Sequence, residues 1–167
     1  TITSTINVTD GYCIGDVNVD LNISHTYIGD LIVEVKSPQN TIVRLHNRTG
    51  GTAENIVKLY DQGVTNPDGP GSLNDFNGQI VTGVWTLTVS DNAGADVGTL
   101  NAWTLKIASS GAVCPPVASN VSVNVPDSIT TPIVLNGVSS STPTPNYIVM
   151  SLPANASLTD PNAGLIP

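Results

Sequence analysis

The chain has 167 residues, 40% of them hydrophobic and 11% charged, a composition that supports a packed globular protein and excludes a disordered one. Thirteen Asp and Glu against five Lys and Arg leave a net charge of −8, which argues against nucleic acid and anionic membrane surfaces as partners and suits a polycation or a metal ion better. No apolar run approaches the ~18 residues that a membrane span needs, the opening Thr1-Ile2-Thr3-Ser4 lacks the marks of a secretion signal, and the end at Ile166-Pro167 falls in mid-pattern, so we read the sequence as a piece excised from a larger chain.

Alternation of apolar and polar residues dominates, and helical spacing is nearly absent. From Asp16 to Ile23 every odd position is aliphatic and every even one is Asp or Asn, which predicts a strand with one buried face and one wet face. Leu31 to Lys36 repeats the pattern with Leu31, Val33 and Val35 inward, Ser37 to Thr41 reads as a turn, and Ile42 to Leu45 as the return strand. A shorter strand is expected from Ile56 to Tyr60. Between Asp61 and Gly83, Gly, Pro, Asn and Asp take over, predicting a long excursion across the sheets pinned by Leu73 and Phe76. Strands follow at Val84–Val89 and Trp103–Ile107, separated by the Gly/Asp loop 91–98. Short strands at this spacing predict an all-β sandwich over residues 1–112.

Residues 113–120 hold Pro115-Pro116 and small side chains and read as a linker. Strands at 121–125, 133–135 and 147–150 follow, too few in residues 121–167 for a complete sandwich, so this part reads as a partial immunoglobulin-like or cadherin-like β module. Cys13 and Cys114 lack the spacing of zinc or redox pairs, and a disulfide joining the two ends of the first module is favoured over two unrelated thiols.

The stretch Ile23-Ser24-His25-Thr26-Tyr27-Ile28-Gly29-Asp30-Leu31, with Ser37-Pro38 and Asn40-Thr41, resembles the P (Homo B) domain of proprotein convertases. Gly83-Val84-Trp85-Thr86-Leu87, Val89-Ser90-Asp91, Asp96-Val97-Gly98-Thr99-Leu100 and Trp103-Thr104-Leu105 extend the resemblance, which covers residues 13–109 in order and spacing. The resemblance implies a jelly-roll β-sandwich that is non-catalytic and stabilises a neighbouring subtilisin-like peptidase domain. Animal convertases often carry Arg-Gly-Asp where Ile28-Gly29-Asp30 stands, and Asn40 takes the place of a commoner Gly, a change that Asn tolerates because it enters left-handed conformations. The tail after residue 120 is unlike that of an animal convertase and points to a bacterial secreted or surface protein.

Asp30, Asp91, Asn92 and Asp96 are candidate calcium ligands. Calcium takes six to eight oxygens, several from carboxylates and carbonyls of a flexible loop, and residues 91–98 supply both kinds. The P-domain pattern implies that the turn at Asp30 and this loop meet at one end of the sandwich. The alternative is that these carboxylates cap turns through nearby backbone amides.

His25 and Asp30 with abundant Ser do not make a hydrolase triad, because no nucleophile elbow or helix accompanies them. His25 is expected to pack near the loop and bond a turn carbonyl or a carboxylate. His46, beside Arg48, is expected in solvent. Trp85 and Trp103 are placed on buried faces by the two-residue period, with a sugar-stacking platform as the alternative. Tyr12, Tyr27, Tyr60 and Tyr147 form no pattern, and the five Asn-x-Ser/Thr sequons at Asn7, Asn22, Asn47, Asn120 and Asn155 are unremarkable in a chain this rich in Asn and Thr. The sequence thus reads as a non-catalytic accessory module, secreted or at the cell surface, whose partner is a neighbouring catalytic domain. The alternative is an adhesion or spacer module that binds glycan or protein beside other surface domains.

Overall fold

The computed structural model of the chain describes residues 1–115 and, beyond them, residues 117–118, 131, 133, 137–138, 159–160 and 164–165. Residues 1–115 contain seven strands: β1 (Ile2–Val8), β2 (Ile14–His25), β3 (Leu31–Lys36), β4 (Ile42–Asn47), β5 (Ile56–Tyr60), β6 (Gly83–Asp91) and β7 (Gly98–Ser109). They form two antiparallel sheets, ordered β1-β6-β3-β4 and β5-β2-β7, as a β-sandwich. Two short antiparallel ladders follow, Val117–Ala118 with Gly137–Val138 and Thr159–Asp160 with Gly164–Leu165. The strands expected at 121–125, 133–135 and 147–150 lie outside the described residues, apart from Ile133, which is in no strand.

Period-two alternation fixes which side chains enter the core. Val17, Val19, Leu21 and Ile23 of β2 face Leu31, Val33 and Val35 of β3 and Leu87 of β6, all buried. Trp85 is fully buried, its indole donating to the Val81 carbonyl at 3.0 Å and its ring meeting Phe76 edge-on at a centroid distance of 5.1 Å. Trp103 is only half-buried at the edge of the core, its indole N–H donating to the Ser4 hydroxyl at 2.9 Å.

Three features depart from the sequence reading. β1 was not foreseen; it pairs with β6 from Ile2↔Val89 to Val8↔Gly83. β2 and β7 run twelve residues each, with a register irregularity between Asn22 and Ile23 that continues the pairing past the clean alternation. Two 3-10 turns, Ile28–Asp30 and Leu73–Phe76, are the only helical segments among the described residues.

The second of these turns pins the 61–83 excursion. Leu73 and Phe76 are buried as expected, and Ser72 and Asp75 form a reciprocal capping box at its start. Backbone bonds tie the rest down: Asp68 N to Leu45 O, Gly69 N to Arg44 O, Gly78 N to Ile14 O and Val81 N to Tyr12 O, all between 2.8 and 3.1 Å. The turn after β3 places Asn40 at φ +67°, the left-handed conformation that Asn tolerates, with its amide donating to Ser37 O at 3.0 Å.

Cys13 and Cys114 form a disulfide, with Cα atoms 4.9 Å apart, across a sequence separation of 101 residues. Both are buried beside Ile80. Closing so long a loop restricts the unfolded chain most, so the Cys13→Ser, Cys114→Ser double variant should lose about 2–5 kcal/mol in urea unfolding. An unchanged midpoint would refute the staple.

Tyr60 is buried, and burial, followed by the charge of Asp68, pushes its phenol well above the ordinary tyrosine value. The folded chain therefore keeps a proton that the unfolded chain releases above about pH 10, and stability falls as pH rises past that point. The Tyr60 hydroxyl has no hydrogen-bond partner among the described residues. Tyr60→Phe should flatten the alkaline loss and match or exceed the parent stability at neutral pH, by up to about 1 kcal/mol; thermal melts at pH 7 and above pH 10 check both.

Candidate functional site

The ends of β2, β4 and β6, the start of β7 and the turn at Ile28–Asp30 meet at one rim of the sandwich. His25, the last residue of β2, is 5% exposed. Its Nδ1 lies 3.0 Å from the Tyr27 carbonyl oxygen and 3.1 Å from the Tyr27 amide nitrogen, and its Nε2 lies 3.3 Å from Asp91 Oδ2. Both ring nitrogens therefore have partners within the protein. The backbone beside it is held as well, His25 N donating to Asn55 Oδ1 at 3.0 Å.

The Ile28–Asp30 turn is clasped from the other side. His46 is buried, contrary to the expectation of a solvated ring: its Nε2 donates to Ile28 O at 2.9 Å, and Nδ1 lies 3.4 Å from the Thr49 hydroxyl and 3.6 Å from Asp68 Oδ2. A neighbouring Arg says nothing about burial when a segment distant in sequence folds over the imidazole. Arg48 reaches Gly29 O at 3.4 Å and Asp30 Oδ1 at 3.9 Å, and its amide donates to Leu31 O at 2.9 Å. Gly29 N and Ile28 N donate to Gly51 O and Ala53 O.

The four residues singled out for calcium share this rim. Asp30 O accepts from both the amide and the side-chain nitrogen of Asn92, at 3.0 and 3.2 Å. Leu31 pairs with Asp91 across the β3–β6 ladder. Asp91 Oδ1 accepts from Ala93 N at 3.2 Å, and Asp96 Oδ1 accepts from the Thr26 hydroxyl at 2.6 Å. The donors fit calcium in kind, being oxygens, but each carboxylate is engaged by a protein group. Among the described residues, no group of three or more His, Cys, Asp or Glu is arranged to hold a metal ion.

Gly98 had no assigned role, yet its missing side chain makes the rim possible. A Cβ there would lie 2.5 Å from Ser24 O and collide with the His25 ring. Thus His25, Gly29-Asp30-Leu31, Asp91 and Gly98, scattered along the sequence, are one interlocked cluster.

Residues 14–107, more than half of the chain, match the family model described as proprotein convertase P-domain. The chain belongs to the proprotein convertase P-domain family. Leupeptin-inactivating enzyme 1 of Streptomyces exfoliatus is 37% identical over 99 residues, 59% of this chain and 20% of that protein. A calcium-dependent protease of Trichormus variabilis is 40% identical over 97 residues, covering 56% and 14%. The transglutaminase-activating metalloprotease of Streptomyces mobaraensis is 31% identical over 106 residues, covering 62% and 12%. The chain spans a fifth or less of the length of these relatives.

If the rim is a packed clasp, Gly98→Ala should destabilise the P domain by about 1–3 kcal/mol, because the obstacle includes a backbone carbonyl that cannot rotate away. Val97→Ala, one residue earlier and 81% exposed, should be neutral in the same denaturant titration.

Proposed function

We propose that this P domain is a non-catalytic accessory domain of a secreted bacterial peptidase and prolongs the life of the folded catalytic domain beside it. The observation that carries this reading is the P-domain match over residues 14–107, together with relatives named as proteases of which this chain covers 14% and 12%. The rim agrees in chemistry: its two histidines are spent on holding turns, which is the work of a scaffold. Secretion is supported by the buried Cys13–Cys114 bridge, a bond that persists in oxidising compartments. In the full-length chain carrying this domain, deletion of residues 1–115 should shorten the half-life of peptidase activity at raised temperature. An unchanged half-life, or a full-length chain with no peptidase domain, would overturn the proposal in favour of a spacer or adhesion module.

Calcium is the finer part of the same proposal. Its support is the gathering of Asp30, Asp91, Asn92 and Asp96 at one rim and the calcium dependence named in two relatives. Binding requires Asp96 to exchange the Thr26 hydroxyl, and Asp91 the Ala93 amide, for the ion. The expected result is a melting temperature that rises with millimolar calcium, falls back with chelator and no longer responds in Asp96→Asn. A flat titration removes the ion and leaves the carboxylates as turn caps.

A further inference from the structure

The two sides of the sandwich are finished differently. On one side the excursion covers the outer edge of β4, through Arg44 N to Pro70 O, Gly69 N to Arg44 O and Asp68 N to Leu45 O. On the other side β1 ends its sheet, with no further strand against it among the described residues, and β7 ends the sheet beneath. β1 is seven residues long and pairs with β6 without a register shift. It carries no charge and no proline, and so lacks the devices by which natural edges refuse a partner. Ile2 is 51% exposed, and Leu100, Trp103, Leu105 and Ile107 of β7 are half-buried along the same side.

The sequence of β1 adds a symmetry. Ile2-Thr3-Ser4-Thr5-Ile6 reads the same in both directions. We propose that the outer edge of β1 is a self-association surface, on which a second copy of this chain pairs its own β1 antiparallel about a two-fold axis at Ser4. That register sets Ile2 opposite Ile6 and Thr3 opposite Thr5 of the second copy, like with like on each face. Such a pairing is closed: the same patch is used on both copies and no edge of β1 is left over. The axis also passes by Trp103, which lies at the middle of β7 and is tied to Ser4 through its indole, so joining the edges covers the half-buried row of β7 from both copies.

β1 itself carries no charge, while the net charge of −8 per copy opposes association through long-range repulsion; screening therefore strengthens the dimer. The inference does not rest on the peptidase reading. Sedimentation equilibrium of the chain between about 1 and about 200 µM, in the range where weak protein pairs assemble, should show a monomer–dimer equilibrium that moves toward dimer as salt is raised. The Thr3→Lys, Thr5→Lys double variant places like charges opposite one another across the axis. It should be monomeric at every concentration, with its melting temperature unchanged because both positions are exposed. Ser4→Cys should form a disulfide-linked dimer under mild oxidation, whereas Asn7→Cys should not. A monomer throughout, association beyond a dimer, or a dimer that survives the lysine pair would overturn the assignment, and a Ser4→Cys chain that stays uncrosslinked would overturn the register.

Discussion

Eight residues of β2, from Asp16 to Ile23, bury four aliphatic side chains and hold four polar ones on the opposite face, and both sheets are positioned by that row. Each buried aliphatic contributes about 1.5–3 kcal/mol of transfer free energy, and a slip of one residue would move the whole row into water. β5 and β7 pair with β2 on either side, while Leu31, Val33 and Val35 of β3 close over it from the second sheet. The rim inherits its geometry from this register. His25 is the next odd position after Ile23, so it enters the interior end of the same row, and only its polar atoms require partners that aliphatic side chains do not.

Those partners explain why the fold was legible in the sequence and the rim only partly so. Alternation is a local property, and it located β2, β3, β4, β5 and the centres of β6 and β7. β1 escaped because Ser4 breaks the inward row of Ile2, Ile6 and Val8, and because an edge strand buries less of each side chain. Leu73 and Phe76 were visible as large apolar residues in the middle of a stretch of turn formers. His25 was placed correctly because a carboxylate and a turn carbonyl were near in any folding of the pattern. His46 was not, since what buries it arrives from Ile28 and Asp68, eighteen residues before and twenty-two after in the chain. That the turn at Asp30 and the loop 91–98 meet at one end was implied by the P-domain resemblance; the hydrogen-bond partners of these residues, Thr26, Ala93 and Arg48, depend on angles that no spacing records.

The P-domain signature acquires a physical meaning from this arrangement. Its glycines and charged residues hold one another in place at the rim. Gly98 is small because the His25 ring and the Ser24 carbonyl occupy the space above it, and Gly29 because Gly51 O and the Tyr27 ring do. Asp91 lies against the His25 imidazole, and Asp30 lies against Arg48. Removing the Asp91 carboxylate leaves the buried His25 ring without that partner.

The long excursion has a further consequence for a domain of a protease-associated family. A peptidase threads its target through the active-site cleft as an extended segment, and a folded loop yields such a segment only by detaching locally. Residues 61–83 look vulnerable by composition, rich in Gly, Pro, Asn and Asp, yet they are fastened by amides at Asp68, Gly69, Gly78 and Val81 and anchored through Leu73 and Phe76. Cleavage between Asp68 and Val81 would demand release of these bonds and of core side chains. The covering that finishes one side of the sandwich therefore also resists local detachment of the segment from Asp68 to Val81.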